Sequence, residues 1–326
     1  HEDSEDRDQP TETWAQDANG NLTYESTGTP STRLTKAKAW SAYLSDDMKF
    51  GQWVVSPGVR HENYEIKRDG SETKVTEQDV TLFGLGTTYQ INQQVLVFGG
   101  IHEGHSPAPN DGVTDPEEAL NSELGLRFNE ANLYAETTLF YSDYSNLVGN
   151  CTASGGAGDC NIGDASNAGE ATIQGLEALF TYDHALNSAM TLPVGITYTY
   201  TDATFDTTFE DDGVWGDVQK GDKLPNLAPH QVQLRMGVAH VSGFSADMNV
   251  NYYSETCSTA ACGANEEIDA YSIVDIAGRY QINSQTRVYA TVENVFNSED
   301  VVARAPKNGA RAQKPLSMLM GVAYNF

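Results

Sequence analysis

The feature that most constrains this chain is a repeated two-residue alternation in runs of about ten residues, a period that only extended strands keep in register with one face. From Pro315 to Phe326 the even positions are Leu316, Met318, Met320, Val322, Tyr324 and Phe326, while the odd ones include Ser317, Gly321, Ala323 and Asn325. Phe244, Ala246, Met248, Val250 and Tyr252 alternate with Ser245, Asp247, Asn249 and Asn251; Val232, Leu234, Met236 and Val238 with Gln231, Gln233 and Arg235. Leu192, Val194, Ile196, Tyr198 and Tyr200 alternate with Gly195, Thr197, Thr199 and Thr201. The same dyad recurs around Leu176–Tyr182 and Val274–Tyr280. Each run predicts a strand with one apolar and one polar face.

Two-faced strands occur in soluble sandwiches and in membrane barrels, and the connections choose between them. Short turns at Gln90–Gln94 and Asn129–Asn132, and after Tyr182, His240 and Tyr280, alternate with long polar links at Gly104–Ala119, Gly149–Gly169, Phe205–Ala228, Ser254–Asp269 and Asn297–Lys314. An up-and-down membrane barrel segregates its loops in this way, with tight turns at one rim and long loops at the other. The fold class expected is therefore all-β, a transmembrane antiparallel up-and-down β-barrel. No apolar run reaches the roughly 18 residues of a membrane helix. With 46 acidic against 19 basic residues and a net charge of −27, the chain lacks the basic face a nucleic-acid binder needs.

About 13 strands are expected from Lys36 to Phe326. Bacterial single-chain barrels close with an even number, so earlier strands are expected before this stretch. Residues 1–33 (Glu2, Asp3, Glu5, Asp6, Asp8, Glu12) read as an acidic extracellular loop segment and 34–326 as the barrel. The polar faces carry mixed charges, among them Arg235, Asp275, Arg279, Arg287 and Glu293, which would point into a wide lumen and pair between neighbouring strands. Trp53, Tyr198, Tyr200, Tyr324 and Phe326 suit the aromatic girdles at the membrane interfaces.

Four cysteines allow three pairings. The expected ones are the two local pairs, Cys151 with Cys160 and Cys257 with Cys262, in an oxidising location. A zinc site would need a different spacing. Asp159, Asn161 and Asp164 could bind a calcium ion that stiffens the first of these loops, although their spacing is not that of an EF-hand. His102 and His105 stand at the outer end of a strand, where they could touch a metal chelate; three apart, they fall on opposite faces. Arg304, Lys307, Arg311 and Lys314 form the basic patch of the last long loop, where an anionic ligand would be attracted. No G-x-S-x-G or other hydrolytic constellation is present, so no enzyme activity is expected.

Tyr271-Ser-Ile-Val-Asp-Ile-Ala-Gly-Arg-Tyr280, Val288-Tyr-Ala-Thr-Val-Glu-Asn-Val-Phe-Asn297, Gly309-Ala-Arg311 and the ending Gly321-Val-Ala-Tyr-Asn-Phe326 together resemble the last three strands of TonB-dependent outer-membrane receptors. Pro116–Arg127 and Asn167–Glu177 resemble mid-barrel segments of that family. Ser145-Asn-Leu-Val-Gly-Asn-Cys151, followed by Cys160-Asn-Ile-Gly163, is most similar to its ferric dicitrate and ferric siderophore branch. The resemblance implies the C-terminal 13 or so strands of a 22-stranded barrel in the bacterial outer membrane, with the plug domain absent from this chain. It implies capture of a ferric siderophore or similar chelate by the outer loops. It also implies import driven by the TonB-ExbB-ExbD system through that plug, lipopolysaccharide as a neighbour, and Phe326 as the signal read by the barrel-assembly machinery. No resident cofactor is implied. A passive porin-like channel, uptake of a vitamin or oligosaccharide, and a soluble adhesin whose apolar stripes pack on one another are the competing readings.

Overall fold

The computed structural model describes residues 2–7, 12–16, 22–27, 32–69, 74–107, 115–150, 165–210, 215–263, 265–304 and 309–325. The described chain is built of strands, and none of its segments is a helix long and apolar enough to cross a membrane. A short strand β1 (Glu2–Arg7) precedes thirteen longer ones. These are β2 (Thr32–Ser45), β3 (Trp53–Asp69), β4 (Lys74–Gln90), β5 (Val95–Ser106), β6 (Glu117–Glu130), β7 (Leu133–Ser145) and β8 (Ala171–Ala185). They continue as β9 (Met190–Phe205), β10 (His230–His240), β11 (Phe244–Tyr253), β12 (Tyr271–Gln281), β13 (Thr286–Glu293) and β14 (Ser317–Tyr324). All pair antiparallel with their sequence neighbours in one meandering sheet.

Two departures from the sequence reading concern the links. The boundary at 33/34 falls inside β2, and part of the acidic segment is strand: Glu2–Arg7 pairs with the outer half of β2, from Glu2↔Ala37 to Arg7↔Thr32. The outer link between β3 and β4 spans only residues 70–73 because both strands run 17 residues. That is well beyond the roughly 9–11 a membrane crossing requires, so this protrusion is a β-hairpin, and an alternation of loop lengths alone does not reveal it.

Residues that pair across an antiparallel ladder share a face. Val95, Phe128, Ala135, Phe180, Ile196, Leu234, Val250 and Val274 form one unbroken row across eight strands. Met236, Met248, Ile276, Val292 and Met318 form another. Among the described residues nothing covers this face: Met320 is 72% and Val322 68% exposed. The surface area is 19982 Å², against about 13,000 Å² for a compact soluble chain of this mass. A sandwich would bury these stripes, and the adhesin reading fails on that point.

Aromatic residues bound the apolar band. Trp53 and Tyr89 lie 4.6 Å apart between ring centres at the turn rim, where Phe244 also pairs with Tyr280. Tyr252, eight residues up the strand from Phe244, lies about 27 Å away at 3.4 Å per residue. Allowing for strand tilt, that matches a membrane band of about 25 Å with girdles at both edges. On β3 the apolar stripe ends at Val59; His61, Asn63 and Glu65 follow on the same face, which places the upper third of this strand above the lipid.

Candidate functional site

The opposite face is polar. Thr181, Gly195, Arg235, Asn249 and Asp275 form a row across β8–β12. Two ion pairs join adjacent strands here. Arg235 donates to Asp247 Oδ1 through Nη2 at 2.7 Å and Nε at 3.2 Å, and Arg127 donates to Glu136 at 2.5 Å while lying 5.5 Å over the Phe98 ring. Arg279 Nε donates to Ser245 Oγ at 2.7 Å. Asp275 Oδ1 accepts the Asn294 backbone N–H at 2.8 Å, so this carboxylate caps a turn. Glu293 pairs with Lys314, and Arg287 has no ion-pair partner among the described residues.

Asn294 and Asn297 explain why the Asn-Val-Phe-Asn motif ends β13. Both take left-handed backbone, φ 49° and 48°, a conformation asparagine tolerates because its short amide satisfies nearby backbone groups. Asn294 Nδ2 donates to Lys314 O at 2.9 Å and its Oδ1 accepts from the Ser298 N–H at 3.0 Å. The first residues of the last long loop are thereby tied to its final ones.

At the outer rim the loops build a small apolar core. Leu147, Ala168, Ala171, Phe205 and Val218 are buried together, with Tyr144, Phe209, Trp215, Leu224 and Ala260 packed around them. Phe205 meets Phe209 and Trp215 edge-on, at 5.7 and 5.3 Å. Trp215 Nε1 donates to Ser166 O at 3.2 Å. The segment after β9 folds back on its own strand, with Phe205 N–H on Asp222 O and Leu224 N–H on Ala203 O. Folded loops of this kind present a shaped surface.

Beside this core lies a cavity of about 630 Å³, between the 221–230 return and the 255–269 loop. Its floor is apolar: Leu224, Leu227, Ala260 and the buried Ile268. Tyr200 and His230, with ring centres 5.1 Å apart, lie at its edge on the outward face of the sheet in line with Ile196 and Leu234, and the Tyr198 hydroxyl and His230 Nδ1 are hydrogen-bonded at 2.9 Å. Asp202, Asp222, Glu255, Glu267 and Asp269 line the rest, against one lysine, Lys223, which is paired with Asp202. The Cys257–Cys262 disulfide, Cα atoms 5.4 Å apart, shapes the loop wall. Volume, apolar floor and a few converging polar groups are the attributes of a small-molecule site.

The sequence-derived candidates are distributed as follows. His102 pairs with Gly84 and Asn121 on the polar face. The β4–β5 ladder stops there, where Glu103 Oε2 accepts the Phe83 N–H at 2.9 Å. His105 instead reaches the hydroxyl of Tyr64, 2.8 Å from its Nε2, and the two histidines do not converge. Among the described residues no group of His, Cys, Asp or Glu is arranged to hold a metal ion. Arg304 Nε is occupied by Glu267 O at 2.6 Å, Arg311 is exposed on the strand Ala310–Ala312, and Lys314 is drawn to Glu293. These contacts orient Arg304 and Lys314 within the basic patch of the last long loop. Cys151, Cys160, Lys307, Phe326 and the calcium candidates Asp159, Asn161 and Asp164 lie outside the described residues.

Two groups escape sequence reasoning. Tyr64 is only 6% exposed, and burial, reinforced by the charge of Glu62, pushes its phenol up to about 12. The cavity residues Glu255, Glu267 and Asp269 sit in aperiodic loop sequence; the flanking Cys257 and Cys262 were the available signal that this loop is shaped.

The comparisons agree with the geometry. Residues 5–295 match the family model described as TonB dependent receptor-like, beta-barrel. Over 313 residues the chain is 25% identical to the metal-pseudopaline receptor CntO of Pseudomonas aeruginosa, covering 88% of this chain and 41% of that protein. Over 298 residues it is 22% identical to the ferric enterobactin receptor of the same species, covering 81% of this chain and 38% of that protein. It thus spans about two fifths of the length of these relatives. Among solved structures, the siderophore receptor PiuA from Acinetobacter baumannii superimposes with a TM-score of 0.73 at 16% identity, over 95% of this chain and 50% of that one. The ferric citrate transporter FecA gives 0.69 at 20%, over 93% and 47%. Rows of apolar residues facing lipid, girdles at two heights, a polar inner face and a match over most of the length converge: the chain belongs to the TonB-dependent receptor β-barrel family and is a barrel portion of an outer-membrane protein.

Proposed function

We propose that this chain is part of a receptor that captures a metal chelate, a ferric siderophore or a similar compound, from outside the cell and passes it across the outer membrane. The observation that carries the reading is the family match over residues 5–295, joined to relatives named for metal-pseudopaline and ferric enterobactin. The protein's part is binding and a gated path, without covalent chemistry. The outer-rim loops supply the capture surface, and the polar face lines the route. Energy comes from the TonB-ExbB-ExbD system acting on a plug domain outside this chain. Lipopolysaccharide surrounds the outer half of the barrel, and Phe326 serves the assembly machinery. The loop cavity of about 630 Å³ offers a ligand a place to rest.

Deleting the gene and following radio-iron uptake from a panel of ferric chelates under iron starvation tests this reading. We expect loss of uptake for one chelate class and expression that rises when iron is withheld. Uptake unchanged across the panel, with expression indifferent to metal supply, would overturn it.

A further inference from the structure

The outer end of the sheet is split between β4 and β5. Strands β3 and β4 stay paired up to Arg68↔Lys74, but the β4–β5 ladder runs only from Gln90↔Leu96 to Gly84↔His102. From Lys74 to Phe83, β4 therefore has β3 on one side and, among the described residues, no strand on the other. The Phe83 N–H points to that open side, where the Glu103 carboxylate accepts it at 2.9 Å in place of a strand carbonyl. Strand backbone repeats every two residues, so the N–H and C=O groups of Thr81, Asp79 and Glu77 face the same way. Such an edge is a template for an added strand.

The neighbouring strands leave room for one. Leu82 and Val80 hold inner-face positions of the β3–β4 hairpin, opposite Arg60 and Glu62. Glu103, Leu120 and Asp143 form a row on the outer face of β5–β7, with Glu118 and Ser145 above it. Residues of both faces line one cleft of about 320 Å³. The hairpin thus overlaps its neighbours as a second layer, and the contact of Tyr64 with His105 spans the overlap. Because the outer apolar stripe of β3 ends at Val59, the partner of Phe83, the cleft opens above the lipid.

Charge selects the occupant. Glu118 and Asp143 are exposed in the cleft, no lysine or arginine lines it, and the exposed Glu77 and Asp79 flank the open edge. A second copy of this chain would bring the same acids, and like charges directly opposite each other destabilise a ladder. Val80, Leu82 and Leu120 supply apolar contact between the charges.

We propose that the open edge of β4, Glu77–Phe83, docks an extended cationic segment of another protein, which adds to the sheet as one strand. Its backbone pairs with Thr81, Asp79 and Glu77 and displaces Glu103 from the Phe83 N–H. Its lysines or arginines on one face meet Glu118 and Asp143, and those on the other flank Glu77 and Asp79. This surface is separate from the loop cavity and from transport, so it stands whatever chelate the receptor carries.

The product of the complete gene, purified in detergent, tests this with three fluorescein-labelled peptides read by fluorescence polarisation. The first is Lys-Val-Lys-Thr-Lys-Val-Lys, the second replaces each lysine by glutamate, and the third is the lysine peptide with its backbone amides methylated. We expect the first to bind at least about tenfold more tightly than the second, through charge, and than the third, through the lost backbone hydrogen bonds. Thr81→Pro removes a donor from the open edge and leaves the β3 ladder intact, because its N–H faces away from β3; it should weaken the first peptide by about tenfold. Glu118→Gln with Asp143→Asn should shrink the preference for lysine over glutamate. Heat-modifiable migration on gels confirms that each variant is folded. Hydrogen exchange with the lysine peptide bound should show new protection across residues 74–83. Absence of binding, or protection confined to other strands, overturns the proposal. Equal binding of the amide and N-methyl peptides, untouched by Thr81→Pro and abolished by magnesium, also overturns it and marks these carboxylates as a divalent-cation site.

Discussion

The indole of Trp215 fills the space into which a side chain at Gly149 would project: a Cβ there would lie 2.4 Å from Cζ2 and 2.5 Å from Cε2. Glycine at 149 is thus the condition for the indole to close the outer apolar core and reach Ser166. Gly149→Ala forces the ring out or the segment away, at a cost of about 1–3 kcal/mol. Limited proteolysis of intact cells should then cut the 146–170 and 206–229 loops faster, while barrel migration on gels is unchanged.

Val250 and Asn251 are adjacent on β11 and face opposite ways, Val250 toward lipid between Leu234 and Val274, Asn251 toward the lumen beside Gln233. Val250→Arg should destabilise the barrel by about 2–4 kcal/mol, the cost of a cation near the bilayer midplane. Asn251→Arg should cost much less. Reversible unfolding in lipid vesicles by urea reads the difference, and equal effects would contradict the face assignment.

Tyr64 is held neutral by burial up to about pH 12, whereas an unfolded tyrosine ionises at 10.0. Its neutral form is therefore favoured by the fold. The contribution to stability is present below pH 10 and is lost as the pH rises toward 12. In an alkaline titration followed by phenolate absorbance, Tyr64→Phe should remove one phenol's amplitude from the late part of the curve and leave the earlier part unchanged. The same variant deprives His105 of its hydroxyl partner.

The disulfide from Cys257 to Cys262 closes a loop of sequence separation 5, for which chain entropy gives about 2 kcal/mol. Paired Ser substitutions should leave the barrel intact and loosen the cavity wall. Limited proteolysis of intact cells is expected to cut the 255–269 loop faster in the paired variant.

Strand faces were legible because a period of two acts locally: Met248 and Val250 declare their face without reference to any partner, and the ladders then align such positions into rows. Chain order also paired the strands, since each link joins neighbours. The loop cavity was not legible. Asp222 and Glu255 line one cavity because the 221–230 segment folds back along β9, and nothing periodic announces such a return. A count of charges along a loop is likewise blind to which carboxylate each one meets, as Lys314 meets Glu293. His102 and His105 were correctly placed on opposite sides of a dyad, but the end of the ladder at Gly84↔His102, which delivers His105 to Tyr64, depends on the side chain of Glu103.

The uncovered rows from Val95 to Val274 mean that the chain leaves its hydrophobic contacts to be completed by amphiphiles. Acyl chains stand where another protein would place a second layer of side chains. A melting temperature recorded for this barrel therefore belongs jointly to polypeptide and surfactant, and should move with the length of the detergent tail while the sequence stays constant.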